Sequence, residues 1–406
     1  MNQVVEFHPV VRLPSMQQAQ EVAVRPVTSA PEIDAALAAD AVVAIGVSGG
    51  KDSDACAIAT VAHLDAIGHT GPRILIHADL GVVEWKDSLP GCVRLAAKLG
   101  LELIVCRRAA GDMMDRWEGR WNNNVARYVD LSCVKKILPW STPSMRFCTS
   151  ELKAQVVSSA LRKRFPTETV ISVTGIRRQE SSARAKAPVW GIDKKLSRKD
   201  AVGLVWNPII DWLIEQVLAT IALAGLPLHE AYTTYGASRV SCAFCIMSAA
   251  KDLLAAVGCT DNHDLYRRMV ALEIQSTYAF QGGKWLGDVA PHLLSAEMLV
   301  DLAIAKARAA SREAIEKRLP AHLLFVKNYP VQMPTADEAE LIASVRCRVG
   351  DLLGLTVKHV TGEAVLARYA ELMAEKVVKA AKTGKKGKKN QPVVHEEDLA
   401  EDEFVD

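Results

Sequence analysis

The chain has 406 residues, of which 50% are hydrophobic and 24% charged, and its formal net charge is +2 at pH 7. These values predict a folded protein with one main domain and a helical second unit, and they argue against strong non-specific binding to nucleic acid. No apolar run is long enough to span a bilayer, and Met1–Gln20 lacks a basic start followed by an apolar core. We therefore expect a cytoplasmic protein whose nine cysteines are thiols, metal ligands or nucleophiles rather than disulfides.

Strand-like and helical segments alternate through the first half of the chain. Strands are predicted at 41–47, 73–77, 101–106 and 169–174, and helices at 54–67 and 85–99. This alternation predicts an α/β fold with a parallel sheet and right-handed crossovers. Because ligands bind beyond the carboxyl ends of such strands, we expect the loops 48–53, 78–84 and 107–112 to line one cleft.

The second half of the chain is mainly helical in pattern from residue 211 onward. Helices are predicted at 217–224, 249–257 and 294–318. A lysine-rich run at 379–389 and an acidic end at 396–406 predict a disordered tail. The predicted organisation is an N-terminal arm over 1–35, an α/β domain over 36–250, a helical region over 251–375 and a charged tail over 376–406.

A glycine loop between the first predicted strand and the following helix is the most informative segment. It consists of Ser48, Gly49, Gly50, Lys51, Asp52 and Ser53. Backbone N–H groups and the helix dipole favour an anion there, the hydroxyls and Lys51 can bind phosphate oxygens, and Asp52 can help to hold Mg²⁺. The alternative is a glycine-rich turn in which Asp52 caps the helix.

This loop resembles the pyrophosphate loop (PP-loop, S-G-G-x-D-S) of the ATP pyrophosphatase superfamily. The members of that superfamily cleave ATP between the α- and β-phosphates. The loop is not a Walker A motif, because Asp52 stands where that motif requires Ser or Thr.

Later segments occur in the order seen in the phosphoadenosine phosphosulfate (PAPS) reductase family. They are Arg146-Phe-Cys-Thr-x-x-Leu-Lys153, Gly175-Ile-Arg-Arg-x-Glu-Ser-x-x-Arg184, Asn207-Pro-Ile-Ile-Asp-Trp212 and Tyr235-Gly-x-x-Arg-x-x-Cys-x-x-Cys245. With the PP-loop they cover roughly residues 40 to 250, so the chain looks like a PAPS reductase-like PP-loop protein. The resemblance implies a Rossmann-like domain of the adenine nucleotide alpha hydrolase type.

Charged residues near two predicted strand ends are candidate nucleotide ligands. Arg177, Arg178 and Arg184 can bind phosphate or sulfate oxygens, and Glu180 can orient one of them. The alternative is a solvated basic loop. Asp79 resembles the family's Asp-x-Gly loop near the nucleotide, but a capping role explains one acidic residue at a turn equally well.

Three cysteines are candidate metal ligands. Cys242 and Cys245 have the C-x-x-C spacing that can hold zinc or an iron–sulfur cluster, or act as a redox pair. Cys148 belongs to a motif that folds toward the same cleft in cluster-bearing relatives, so the resemblance implies three thiolate ligands for a 4Fe–4S cluster or Zn²⁺. The fourth ligand stays open between Cys259, Cys133 and an open iron site, and three thiols without a metal are a further alternative. The remaining cysteines, Cys56, Cys92, Cys106 and Cys347, are predicted to lie in the core.

The sequence differs from that of true sulfonucleotide reductases in two respects. It has no C-terminal Glu-Cys-Gly-(Leu/Ile)-His motif with a nucleophilic cysteine, and its phosphate loop keeps the Lys51–Asp52 pair that those reductases lack. We therefore expect an enzyme that binds ATP and Mg²⁺ and adenylates an acceptor with release of pyrophosphate, with Asp52, Lys51 and Arg177 as catalytic residues. Sulfur transfer from a donor protein would follow, as in the DNA phosphorothioation and tRNA thiolation relatives. The alternatives are a PAPS/APS reductase served by an electron donor protein and a non-catalytic ATP-sensing regulatory protein.

Basic residues and tryptophans are interleaved in one part of the α/β region. They are Arg107, Arg108, Arg116, Arg120, Arg127, Lys135, Lys136, Arg162, Lys163 and Arg164, with Trp117, Trp121 and Trp140 between them. This pattern can follow a phosphate backbone and stack bases, which predicts a nucleic-acid acceptor. The alternative is a helical insert whose arginines face solvent and whose tryptophans pack inward. The acceptor stays open between DNA, tRNA, a sulfonucleotide and a small molecule.

Overall fold

The computed structural model describes residues 11–22, 25–325 and 329–387. The described residues form two compact units. The sheet unit holds the residues up to Met114 together with Arg146–Tyr266, and the helical unit holds Asp115–Met145 and the residues from Arg267 onward. These boundaries differ from the predicted ones, because 115–145 belongs with the helical unit and 251–266 with the sheet unit.

Six strands form one sheet in the order β3-β2-β1-β4-β6-β5. They are β1 (Val42–Gly46), β2 (Arg73–Asp79), β3 (Glu102–Arg107), β4 (Val170–Val173), β5 (Trp190–Ile192) and β6 (Gly203–Trp206). All neighbours pair in parallel except β5, which pairs antiparallel with β6. The four predicted strands and the parallel α/β fold are confirmed. Because β1, β2, β3 and β4 are parallel, their carboxyl ends lie at the same edge of the sheet.

Helices cover the sheet and build the helical unit. They are α1 (Met16–Glu21), α2 (Pro31–Ala38), α3 (Lys51–Ala66), α4 (Ser88–Leu99), α5 (Met113–Val129), α6 (Phe147–Thr149), α7 (Gln155–Arg164), α8 (Ser182–Ala185), α9 (Ile214–Leu223), α10 (Glu230–Thr233), α11 (Ala250–Gly258), α12 (His263–Ser276), α13 (Ala296–Glu316), α14 (Ala336–Leu353) and α15 (Gly362–Gly387). A π-turn over Ser150–Ala154 connects α6 to α7. No helix among these described residues is both long enough and apolar enough to cross a membrane.

The central strand β1 is buried on both faces, as expected for a parallel strand covered by helices. Val43 and Ile45 point into one hydrophobic cluster, which also contains residues of α3 and α9. Val42 and Ala44 point into the cluster on the other side, against Leu161 of α7. The alternation of strand side chains thus divides the core between the two faces of the sheet.

The N-terminal part of the chain is attached to the sheet unit where it is described. Ala19 of α1 packs in a small apolar cluster with residues of α9. The indole N–H of Trp206 donates to Thr28 O at 2.8 Å, and that of Trp212 donates to Pro26 O at 3.3 Å. Residues 1–10 of the predicted arm lie outside the described residues.

The last helix extends into the segment that was predicted to be a disordered tail. Helix α15 continues through 376–387, whereas residues 388–406 lie outside the described residues. Its inner face packs with α14 over a hydrophobic core that includes Tyr369, Val365 and Val349. This packing explains why the helical pattern overrides the lysine-rich composition over the first part of the predicted tail.

A buried carboxylate organises the loop that follows α12 in the helical unit. Glu273 is fully buried, and its oxygens accept the backbone N–H groups of Phe280 at 2.7 Å, Leu286 at 2.8 Å and Gly287 at 3.0 Å. Burial raises the pKa of Glu273 to about 7, although the three N–H donors act in the opposite direction. The carboxyl group therefore binds its proton more tightly in the folded chain than in the unfolded chain.

We expect Glu273→Ala to lower the free energy of unfolding by about 3 kcal/mol, because buried N–H groups lose their acceptor. Glu273→Gln keeps one acceptor oxygen, and its amide group does not titrate. Since the folded-state pKa lies above the unfolded one, wild-type stability falls as pH rises from about 4.5 to about 7. Urea unfolding at pH 5 and pH 8 should therefore show that the free energy of unfolding of Glu273→Gln, relative to that of the wild type, is higher at pH 8 than at pH 5. An unchanged difference between the two pH values would contradict the pKa of Glu273.

Candidate active site

The PP-loop lies at the carboxyl end of β1 and leads directly into α3, whose N-cap is Gly50. Gly49 has a φ of +70°, and a Cβ at this position would lie 2.7 Å from Ser88 O, so only glycine fits. The Ser53 hydroxyl accepts the N–H of Ser48 at 3.3 Å and donates to Gly50 O at 2.7 Å. The loop is thus closed on itself, and Asp52 makes no capping bond to the helix, which rules out the capping alternative.

Three residues predicted to be catalytic are brought together beside this loop. Asp52 Oδ1 accepts a hydrogen bond from Arg177 Nε at 2.6 Å, and Asp52 Oδ2 pairs with Lys51 Nζ at 3.0 Å. The approach is close in the backbone as well, because a Cβ at Gly175 would lie 2.6 Å from Asp52 O. Both carboxylate oxygens of Asp52 are therefore engaged by cations, so this carboxylate is a counterion in the structure as well as a candidate Mg²⁺ ligand.

The arginines after β4 each have a carboxylate partner. Arg177 is buried and bonded to Asp52, whereas the half-exposed Arg178 and Arg184 pair with Asp211 and Glu180. Glu180 also accepts the N–H of Arg177 at 2.7 Å. This segment therefore contains an ion-pair network, in which Arg177 is buried and Arg178 and Arg184 remain half-exposed.

Asp79 closes the turn after β2. Its Oδ1 accepts the N–H of Gly81 at 2.7 Å, and its Oδ2 accepts a bond from Arg107 Nε at 2.6 Å. A cavity of about 490 Å³ opens beside this pair, and Arg108 and Asp112 line it as well. Two of the three loops predicted to share a cleft line this cavity, but the PP-loop does not.

Sequence patterns did not indicate three residues that lie against the PP-loop. Ser88 contacts Gly49, and its hydroxyl lies 3.3 Å from His229 Nε2. His229 Nδ1 accepts the N–H of Ala231 at 3.0 Å, and burial lowers the pKa of His229 to about 4, so the neutral ring donates from Nε2. The Lys51 ammonium lies 4.9 Å from the ring centroid of Tyr232. These residues belong to no motif, and tertiary packing alone places them at the loop.

The three predicted metal ligands are neighbours in the sheet unit. Burial raises the pKa of the Cys242 thiol to about 12, Lys153 opposes this shift, and the nearby Cys245 and Cys148 add to it. Even so, the described residues contain no group of three His, Cys, Asp or Glu side chains arranged to hold a metal ion. The 4Fe–4S cluster or Zn²⁺ at these three cysteines therefore stays a prediction.

The candidate fourth ligands have other surroundings. Cys259 forms a hydrogen bond with Tyr235, and Cys133 is buried in the core of the helical unit. Of the cysteines predicted to be core residues, Cys56, Cys92 and Cys106 are buried, and Cys347 is half-buried at the surface.

The tryptophans of the basic segment are not available for stacking on bases. Trp117, Trp121 and Trp140 are buried in the helical unit, where the rings of Trp117 and Trp140 lie 5.4 Å apart. Lys136 is buried as well, with its ammonium 3.9 Å from the ring of Trp121. The stacking hypothesis was wrong for these tryptophans, which pack inward as the alternative predicts, but Arg116, Arg120 and Arg127 are half-buried and do not simply face solvent.

A parallel sheet with an S-G-G-x-D-S loop at the end of a central strand defines an α/β protein of the PP-loop type. A model of the phosphoadenosine phosphosulfate reductase domain matches residues 43–262, which is more than half of the chain. The protein belongs to this phosphoadenosine phosphosulfate reductase domain family.

One curated relative and two solved structures are similar to the chain. The relative is the "Uncharacterized 37.8 kDa protein in gpa 5′ region" of Escherichia phage 186, which is 30% identical over 245 residues, covering 52% of this chain and 68% of the relative. An NH₃-dependent NAD synthetase from Campylobacter jejuni is similar at a TM-score of 0.28 and 15% identity, over 75% of this chain and 93% of its own. The U34-tRNA thiolase NcsA from Methanococcus maripaludis, solved with its 4Fe–4S cluster, is similar at a TM-score of 0.28 and 12% identity. This similarity covers 68% of this chain and 86% of the thiolase chain.

We expect Asp52→Ala to lower the free energy of unfolding by about 3 kcal/mol, because it leaves the buried Arg177 without its carboxylate. The double variant Asp52→Ala/Arg177→Met removes both charges. Its loss of unfolding free energy should be smaller than the sum of the losses in the two single variants. Urea denaturation of the wild type and the three variants measures this coupling. Additive losses would show that the ion pair contributes nothing to stability.

Proposed function

We propose that the protein binds ATP with Mg²⁺ at the PP-loop, adenylates an acceptor and releases pyrophosphate. The observation that carries this proposal is the complete Ser48–Ser53 loop at the N-terminus of the 16-residue helix α3. A helix of this length presents free N–H groups and a positive dipole end to a phosphate. The ion pairs among Lys51, Asp52 and Arg177 support the same location.

The charges around the loop suit a polyphosphate. Lys51 and Arg177 carry two positive charges against the single negative charge of Asp52. Phosphate oxygens can replace the carboxylate as partner of Lys51, and the oxygen of Asp52 released in this way can then bind Mg²⁺. Arg177 keeps the other oxygen in place, since it is buried and also donates to Gln179 at 2.7 Å.

The proposed reaction is an in-line displacement at the α-phosphorus. An acceptor oxygen forms the new O–P bond, and the oxygen that bridges the α- and β-phosphates leaves with the bonding electrons as part of pyrophosphate. The protein contributes positioning and charge neutralisation. Arg178 and Arg184 can exchange their carboxylate partners for oxygens of the nucleotide, because both are half-exposed.

The proposed second stage is transfer of sulfur to the adenylated acceptor. A sulfur nucleophile supplied by a donor protein displaces AMP and gives a thiolated or phosphorothioate product. Cys148, Cys242 and Cys245 are all half-buried, but Cys242 has a raised pKa, which makes its thiol a poorer nucleophile at neutral pH. Free thiols require reducing surroundings, which is why the proposal includes a cytoplasmic location.

Two other functions are supported by specific observations. Membership of the family and the accessible Arg178 and Arg184 favour a sulfonucleotide reductase, although the sequence lacks the C-terminal cysteine motif of those enzymes. The fully ion-paired Asp52 favours a protein that binds ATP without turnover. ATP–pyrophosphate exchange, measured with DNA, tRNA, sulfate or no acceptor, distinguishes these functions. Exchange supports adenylation, and ATP binding without exchange supports the sensor.

We expect Gly49→Ala to reduce ATP binding and pyrophosphate exchange by 100-fold or more, which corresponds to about 2.7–4 kcal/mol for a lost positioned contact. The physical reason is the clash of the new methyl group with Ser88 O at 2.7 Å. Gly68→Ala is a matched control, because Gly68 has a φ of +68° but open space around it. Titration calorimetry with ATP–Mg²⁺ and the exchange assay measure the effect.

The Gly68→Ala control should lose only about 1 kcal/mol of unfolding free energy and should bind ATP–Mg²⁺ as tightly as the wild type. Wild-type exchange in the Gly49→Ala variant would contradict the location of the phosphate site. An equal loss of binding in both variants would show that left-handed glycine strain alone is responsible.

A further inference from the structure

We infer that Tyr232 is a positioning residue that couples the PP-loop to the cysteine-bearing segment 240–245, so that a change at either one alters the other. This inference deepens the proposed function and rests on it where ATP is involved. Tyr232 lies on the short helix α10 and is fully buried. Its hydroxyl oxygen accepts the backbone N–H of Val240 at 3.1 Å, and the Lys51 ammonium lies 4.9 Å from the centroid of its ring.

The Tyr232 side chain thus contacts two segments that are distant in sequence. The Lys51 end of this connection is the first residue of α3, directly after the phosphate loop. A Cβ at Gly50 would lie 3.6 Å from the Tyr232 hydroxyl, so the phenol contacts the loop as well. Val240 precedes Cys242 by two residues, and therefore a shift of the loop is transmitted to the start of the cysteine segment.

A second polar route joins the same two regions. His77 Nδ1 lies 3.0 Å from the carbonyl oxygen of Val47, which precedes the PP-loop, and His77 Nε2 lies 3.1 Å from the Glu84 carboxylate. The backbone of Glu84 pairs with that of Cys242 in an antiparallel bridge, and Ala243 donates its N–H to Val83 O at 2.8 Å. Both ends of the loop are therefore connected to the cysteine segment.

This arrangement has a clear use in a reaction with two stages. The half-buried Cys245 lies on a segment whose position depends on hydrogen bonds to the PP-loop. A nucleotide that draws Lys51 toward its phosphates also acts on the Tyr232 side chain, which holds the N–H of Val240. The reactivity of the thiols can thus be made to depend on whether the loop is occupied.

Site-resolved alkylation tests this coupling. Wild type, Tyr232→Phe and Tyr235→Phe are treated with N-ethylmaleimide, and mass spectrometry follows Cys242 and Cys245. Tyr235→Phe is the matched control, because Tyr235 packs against Trp85 and bonds to Cys259, not to the PP-loop. Without nucleotide, we expect Tyr232→Phe to raise the alkylation rate about 5-fold or more, because the Val240 N–H loses its acceptor. The control should react at the wild-type rate.

ATP–Mg²⁺ should change the alkylation rate in the wild type and the control but not in Tyr232→Phe, and calorimetry reports ATP binding for each variant. If Tyr232→Phe binds ATP and still shows the wild-type response, the response does not pass through Tyr232, and its role as the positioning residue is overturned. If the wild type binds no ATP, the proposed function fails. The nucleotide-free comparison still decides the coupling in that case, since equal rates in Tyr232→Phe and the wild type would overturn it.

A measurement on the wild-type protein covers the case in which Tyr232→Phe does not fold. Hydrogen exchange is compared before and after alkylation at Cys245. The N–H groups of Val240 and Asp54 should lose protection together, because Val240 bonds to the Tyr232 hydroxyl and Asp54 bonds to Gly50 O beside that hydroxyl. Faster exchange at Val240 with unchanged exchange at Asp54 would overturn the inference.

Discussion

The ion pair between Asp52 and the buried Arg177 is the interaction on which the candidate site depends. It joins the loop after β1 to the loop after β4, and the two backbones approach so closely there that position 175 accepts only glycine. A buried guanidinium is stable only with its charge compensated. The segment that carries Arg178 and Glu180 is therefore held at the mouth of the phosphate loop by an electrostatic requirement of the fold, before any ligand arrives.

The same ion pair limits what the loop can do without a ligand. A carboxylate with both oxygens engaged by cations has little affinity for a further metal ion. Under the proposed function, metal binding at Asp52 would therefore accompany the arrival of phosphate, with the nucleotide and its metal entering as one unit. The cysteine segment, connected to the loop by Tyr232 and by His77, lies within reach of the same rearrangement.

Much of the fold and part of the site could be predicted from the sequence, because the signals are local. The strand, glycine loop and helix around Ser48–Ser53 are contiguous, and the predicted edges of β1 and α3 are correct to within a few residues. The partners of these residues are not local. No pattern links Asp52 to Arg177 as an ion pair, and Tyr232 reaches the loop only through tertiary packing. The short strands β5 and β6 were not predicted from the sequence.

Two features of the helical unit show where composition misleads. Trp117 and Trp121 are one turn apart on α5, so they share a face, and that face is buried rather than presented to nucleic acid. The four-residue spacing of these tryptophans indicates a shared, inward-facing side of the helix. The interleaving of charged and aromatic residues led instead to the nucleic-acid interpretation. The lysine-rich end of α15 is the second case, because packing of the preceding turns carries the helix into it.

The path of the chain restricts how this protein can be divided. The polypeptide leaves the sheet unit after Met114, returns at Arg146 and leaves again within α12. Neither unit is a single contiguous stretch, so no simple truncation isolates one of them. A fragment ending near Tyr266 would carry 115–145 without the aromatic partners Tyr278 and Phe280, leaving indole surface uncovered. During synthesis, the core of that insert can close only after more than a hundred further residues have been made, because Tyr278 and Phe280 complete it.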